Sequence, residues 1–329
     1  MKKLFLNLFL SITLCVSTNA QSIKFHFEAG TADYVSFSRS QVENTITQLL
    51  TEINRANKKK EDLNLANINM EYNAKLKLKS FWSNMRFSCE DNENIEKCLQ
   101  DAQGYQVRNI PVTLHPLDDT YHGSLEKTIV ISLNRKGQIT GVRTALDRHD
   151  YKKVMETGRV VTDERQRREI LKFVEDFRCY YNEKDTASLR RVFSNDAIII
   201  TGSVITTRAG GDVNAMTNKI VYKQSTKEEY LNRLKGIFAR NKFVDVTFDD
   251  ISVKRNGATG KERFYGVTLK QKWHTSRYSD EGYVFLLWEF KDDGEPPVIH
   301  VRAWQPDKYP DGSPMKQEDI LDMNDFFIP

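Results

Sequence analysis

Apolar stretches long enough to cross a membrane are missing from these 329 residues. A spanning helix needs about 20 consecutive apolar residues, and the longest candidate, residues 4–16, is interrupted by Asn7, Ser11 and Thr13. Charge of one sign is also missing, since 49 Lys and Arg face 45 Asp and Glu. A balance that close provides no drive toward nucleic acid or an anionic membrane surface. Gly (16) and Pro (8) are too sparse for a collagen-like or low-complexity chain, and 39% hydrophobic residues exclude a disordered one. There is no Gly-rich phosphate loop, no Gly-x-Ser-x-Gly elbow and no His-Glu-x-x-His. His115 and His122 bracket Asp118 and Asp119, but Pro116 and Gly123 mark a turn there and the spacing fits no metal-site pattern. No metal or cofactor is implied.

What is present begins with a leader. Lys2 and Lys3 precede the apolar run, and Thr18-Asn19-Ala20 places small residues at the −3 and −1 positions of a cleavage site before Gln21. Residues 1–20 are therefore expected to be a signal peptide, and the mature chain exported to a periplasmic or secreted destination with no integral membrane segment. Acylation at Cys15 is the rival, opposed by the bulky Leu14 before it. Losing Lys2 and Lys3 takes the basic residues from 49 to 47 against 45 acidic, a net charge of +2. Export leaves Cys89, Cys98 and Cys179 in an oxidising setting. Cys89 and Cys98 enclose a polar loop poor in apolar groups, so a disulfide between them is expected, contributing about 2–3 kcal/mol. Cys179 sits in an amphipathic pattern as a small buried hydrophobe.

The length suits two domains at about 150 residues each. Residues 40–57 carry an apolar helical stripe, Val42, Ile46, Leu49, Leu50 and Ile53, with Ser40 and Glu43 spaced as a capping box. Residues 105–114 and 127–133 read as strands, and residues 138–145 as the hairpin partner after the Asn134–Gly137 turn. Residues 21–155 are thus expected to form an α+β domain, a helix laid on a small antiparallel sheet. A charged stretch at residues 150–168 holds the boundary.

Residues 156–329 open on the clearest helix, with Ile170, Phe173, Val174, Phe177 and Tyr181 on one stripe. A short helix around Leu189 follows, then a buried strand at residues 197–200. A third helix is capped by Thr226 and Glu229. Four strand-like runs complete the chain, at residues 243–253, 263–274, 282–290 and 298–304.

That order, with Tyr181-Asn182-Glu183-Lys184-Asp185 closing the first helix and Phe193-Ser194-Asn195-Asp196-Ala197 entering the first strand, resembles the nuclear transport factor 2-like superfamily, which includes ketosteroid isomerases and SnoaL-type cyclases. The resemblance spans residues 164–306. It implies an α+β cone, a bent antiparallel sheet wrapped by helices around a pocket, and homodimers through the outer sheet face. It does not carry the isomerase chemistry over. The base position falls on Thr201, whose hydroxyl cannot take a carbon-bound proton near neutral pH. The oxyanion-binding tyrosine falls near Phe177, which has no donor.

Strict alternation along the last strand puts His300, Arg302 and Trp304 on one face. With Trp273 and Trp288 on neighbouring strands, these residues suit a small anionic or aromatic ligand. The alternative is a face packed on the other domain, with Arg302 paired to a carboxylate. The strand at residues 282–290 is apolar on both faces, so the first domain or a second copy is expected to cover the side away from the helices. Two functions follow. One is an exported, non-catalytic binding or assembly protein. The other is a lyase, isomerase or hydrolase with His300 as general acid/base and Arg302 orienting an anion, which requires His300 inside the cone near a carboxylate.

Overall fold

The stripe at residues 40–57 forms a helix because its apolar positions recur every turn, and in the computed structural model it buries them against a sheet. The structure describes residues 23–30, 34–101, 103–157, 164–208, 216–291 and 295–326. The leader and Cys15 lie outside them. In chain order, β1 (Lys24–Phe27) leads to α1 (Arg39–Lys59), α2 (Tyr72–Asn84), β2 (Met85–Ser88), β3 (Glu93–Glu96), β4 (Cys98–Gln100), β5 (Gly104–Pro116), β6 (Glu126–Asn134) and β7 (Ile139–Thr144). The main sheet of this half runs β2-β5-β6-β7 with β4 also on β5, and β1 pairs in parallel with β3. Val42, Ile46, Leu49, Leu50 and Ile53 of α1 are all buried, each contributing about 1.5–3 kcal/mol on leaving water. The expected capping box is absent. The helix starts at Arg39, and Glu43 instead binds Arg39 Nε (3.0 Å) and accepts the Phe27 backbone N–H (2.8 Å), tying α1 to β1.

The disulfide expected between Cys89 and Cys98 is not formed. Both are free, buried thiols. The enclosed loop does not depend on a crosslink for its shape, because it contains β3, held by β1. The Cys89 Sγ faces the Asn94 side-chain amide at 3.5 Å, and Cys98 enters β4 opposite Val107.

The second half contains α3 (Arg148–Thr157), α4 (Glu164–Asn182), α5 (Thr186–Val192), β8 (Phe193–Arg208), β9 (Met216–Thr226), α6 (Lys227–Arg240), β10 (Val244–Arg255), β11 (Phe264–Thr275), β12 (Ser279–Glu289) and β13 (Val298–Pro306). Thr226 and Glu229 form the expected capping box of α6. One six-stranded sheet runs β10-β11-β12-β13-β8-β9, antiparallel except where β13 meets β8. Its concave face packs on the helices through Phe177, Tyr181, Leu189, Leu231, Val246, Val267, Leu286 and Ile299. This is the expected α+β cone, a curled sheet wrapped by helices.

Among the described residues, the first half does not cover the outer side of β11, β12 and β13. The chain's own C-terminal segment does, with Leu321, Met323 and Phe326 seated on Phe264, Phe285, Leu287, Val301 and Ala303. Phe285 and Phe326 stack at 5.1 Å. The two halves meet instead along α4, where Arg108 of β5 and Arg143 of β7 converge on the fully buried Glu175. Among the described residues, no helix is long and apolar enough to cross a membrane.

Candidate functional site

The cone opens on a cavity of about 780 Å³ between α6 and the ends of β8, β11, β12 and β13. Alternation along β12 sends Val284, Leu286 and Trp288 to the helix side, and continuing it toward the strand's start sends Asp280 and Gly282 the same way. Asp280 pairs with Trp273 of β11, and Val284 with Trp304 of β13. The absence of a side chain at Gly282 matters here. A Cβ there would clash with the Gln305 backbone oxygen and lie 2.7 Å from Trp304 Cζ2, so glycine lets both the β13 backbone and the indole approach β12.

Arg302 lines this cavity and is 5% exposed. Its guanidinium lies 5.2 Å from the centre of the Tyr230 ring, and its Nη2 donates to Gln271 Oε1 at 3.4 Å. The Tyr230 and Tyr181 hydroxyls share a hydrogen bond of 2.7 Å. Burial works against the Arg302 charge, but the two phenolic oxygens and Asp280 outweigh it and hold its pKa above the ordinary value. Among the described residues, no carboxylate lies within 4.0 Å of Arg302. Its Nε, the Trp304 Nε1 and the Asp280 Oδ1 are buried with no hydrogen-bond partner there. The Asp280 Oδ2 accepts from Tyr278 at 2.9 Å, and burial raises the Asp280 pKa. Two donors and one acceptor beside the cavity are thus without a hydrogen-bond partner among the described residues.

Of the residues singled out from sequence, Trp273, Arg302 and Trp304 come together on this cavity, with Thr201 at its rim. Trp288 does not. It is fully buried, against Phe173, Phe177 and Phe290. Phe177 is likewise core, while Tyr181, one turn further along α4, supplies the hydroxyl under Arg302.

His300 is separated from Arg302 and Trp304 by a β-bulge. Trp288 pairs with Ile299 but Leu287 with Val301, so His300 is the extra residue and the strict alternation fails there. It packs beside Phe264 on the outer face, 5.7 Å between ring centres, and its Nε2 lies 2.7 Å from Glu289 Oε2. A carboxylate is therefore at hand for His300, but away from the cone.

The other histidine cluster is also dispersed. His115 Nε2 pairs with Ser88 Oγ at 2.7 Å, and Asp118 binds Lys242 Nζ at 2.9 Å and the Thr120 hydroxyl. Among the described residues, no three His, Cys, Asp or Glu side chains converge as metal ligands.

Sequence reasoning missed Asp280, Gly282, Tyr230 and Gln271. The signal for the first two was alternation carried back from Val284 past the apolar run.

No protein-family model matches this sequence, and no curated protein is significantly similar to it. Solved structures match it in part. A nuclear transport factor 2-like protein of unknown function from Pseudomonas putida is 8% identical over 45% of this chain and 92% of its own, with a TM-score of 0.31. A nuclear transport factor 2-like protein from Cytophaga hutchinsonii is 12% identical over 43% of this chain and 98% of its own, TM-score 0.31. Bd1075 of Bdellovibrio bacteriovorus is 12% identical over 47% of this chain, TM-score 0.32, and this chain spans 42% of its length. These likenesses concern fold alone.

Proposed function

We propose that this is an exported, non-catalytic binding protein whose cone captures a small molecule carrying a carboxylate on a flat apolar body. The observation that carries the reading is Arg302. A guanidinium this deeply buried is costly to hold without an anionic partner, and breaking a buried pair costs about 3–5 kcal/mol. A bound carboxylate supplies the missing charge in two-pronged geometry, with Trp304 Nε1 as a further donor and the Trp304, Trp273 and Tyr230 rings as walls. The reading gives His300 no acid/base role, because it lies outside the cavity.

Titration calorimetry with cinnamate, against neutral cinnamamide, tests it. Cinnamate is expected to bind more tightly than the amide. Arg302→Lys is expected to weaken cinnamate by about 1–3 kcal/mol, the scale of a charge-assisted hydrogen bond, with the melting temperature unchanged. Equal binding of acid and amide, or a fall in melting temperature alone, defeats the reading. Export is tested by sequencing the N-terminus of the protein recovered outside the cytoplasm, which should begin at Gln21.

Assembly with a second copy would use the β8–β9 extension, where Val204, Ile205, Val221 and Tyr222 stay exposed. Light scattering is expected to give twice the chain mass, reduced to one by Val204→Asp. A monomer at all concentrations removes this part.

A further inference from the structure

A second cavity, about 430 Å³, lies between the two halves, walled by α2, β7 and α4. That size suits a small molecule and not a chain segment. Its cations are already engaged. Lys77 binds Asp185 at 3.3 Å and Ser188 at 3.2 Å, Lys172 donates to Gln103 at 2.9 Å, and Arg143 binds Ser132, Glu175 and Asp176. Glu183, at the end of α4, also lines the cavity, and no hydrogen bond or ion pair joins its carboxyl to any described residue. Opposite, Gly141 of β7 pairs with Ser132 and shares a face with Arg143, which points toward α4. A Cβ on Gly141 meets nothing within 4 Å, so the space in front of Glu183 extends to the strand backbone.

We propose that this cleft binds a small primary ammonium compound whose nitrogen donates to Glu183. A hard metal ion is the poorer match, because it takes about 6–8 oxygen ligands and no three acidic, His or Cys side chains converge among the described residues. An alkylammonium needs one carboxylate and an apolar or aromatic wall, which Tyr180 supplies.

The charges facing Glu183 set its titration. Burial raises its pKa to about 7, Lys77 from α2 and Arg143 from β7 pull it down, and Asp185 and Asp176 push it up. The neutral carboxyl thus holds a proton below that pH, and an ammonium binds only the ionised form. Affinity therefore rises as pH rises through about 7.

The probe is n-butylamine, charged throughout this range, titrated calorimetrically into the full chain. Its affinity is expected to rise about tenfold from pH 6 to pH 8, the change in the ionised fraction of a group titrating near 7. Glu183→Gln is expected to weaken binding at pH 8 at least tenfold and abolish the pH slope. Gly141→Val, which fills the cleft without touching Glu183, should remove binding and leave the melting temperature unchanged. Arg302→Gln should bind butylamine as the unmodified protein does, which separates this site from the cone. No binding heat at 10 mM probe, equal affinity in Glu183→Gln, or affinity independent of pH each overturns the proposal.

Discussion

Replacing Glu175 with glutamine keeps the shape of the side chain and removes its charge at the junction of the two halves. Glu175 is fully buried. Its Oε1 accepts from Arg108 Nη2 at 2.5 Å and from the Leu146 backbone N–H at 2.8 Å, and its Oε2 accepts from Arg108 Nη1 at 2.9 Å. Arg143 Nη2 lies 3.4 Å from the same Oε2. Both guanidiniums are under a tenth exposed. After substitution, two buried cations remain, with Asp176 still paired to Arg143, an arrangement that costs about 3–5 kcal/mol when one partner of a buried pair is lost. Titration supplies a second route to the magnitude. Burial opposes ionisation of Glu175, yet Arg108, Arg143 and the Leu146 N–H overcome it and hold the pKa at about 2, from an ordinary 4.5. A depression of that size corresponds to about 3 kcal/mol. The sign follows from the depressed value. The stabilisation is fully present above about pH 4.5 and is lost as pH falls toward 2. Urea unfolding followed by circular dichroism should therefore place Glu175→Gln about 3 kcal/mol below the unmodified chain at pH 7. The gap should narrow at pH 3, and proteolysis between residues 150 and 168 should accelerate. A loss under about 1 kcal/mol at pH 7, or a gap unchanged at pH 3, would refute the reasoning.

Phe177→Ala removes a fully buried ring in contact with Tyr181, Phe193, Phe248 and Trp288, and chemical denaturation should show a loss of about 3–5 kcal/mol. A steroid isomerase assay should stay at background for the unmodified chain, and turnover that Thr201→Ala removes would contradict this. Gly282→Ala puts a methyl where the Trp304 indole lies, so tryptophan fluorescence should shift, stability should fall by about 1–3 kcal/mol, and cinnamate affinity should drop with it. Burial pushes the Cys98 thiol up to about 12, Cys179 to about 11 and Cys89 upward. A thiol reagent at pH 8 should therefore label none of the three in the native protein, and all three after unfolding without reductant. Labelling of Cys179 alone would reinstate a bridge.

Elements whose residues repeat with one clean period are legible in the amino-acid order alone. The stripes of α1 and α4, the β6–β7 hairpin with its Asn134–Gly137 turn, and the Thr226–Glu229 capping box all emerge from local spacing, because a helix or hairpin turn is specified by residues within a few positions of one another. The helix α2 is not legible in this way. It buries only Ala74, Leu78 and Trp82, while Tyr72 and Leu76 stay exposed and blur the stripe. The strand β3 is hidden for a similar reason, since Glu93, Asn94, Ile95 and Glu96 carry no alternation and pair only because β1 lies beside them.

By itself, then, the sequence determined the expectation of a leader, the balance of charge, the order of elements in the second half apart from α3 and β9, and the candidacy of Arg302 and Trp304, all of which rest on composition or on spacing within one strand or helix. Tertiary structure alone decided which face each strand residue occupies beyond an irregularity. One extra residue at His300 turned it outward while Arg302 and Trp304 kept facing the helices, and a bulge leaves no mark in an alternating pattern. It also decided what covers the outer sheet, because the segment from Leu321 to Phe326 reaches strands that precede it by dozens of residues. And it decided which charges are matched. Glu175 and Glu183 stand two helical turns apart along α4 and its C-terminal end, one held between two guanidiniums and the other facing a cleft with no partner among the described residues. Their difference comes from residues on β5, β7 and α2, whose arrival at that helix only the folded chain can set.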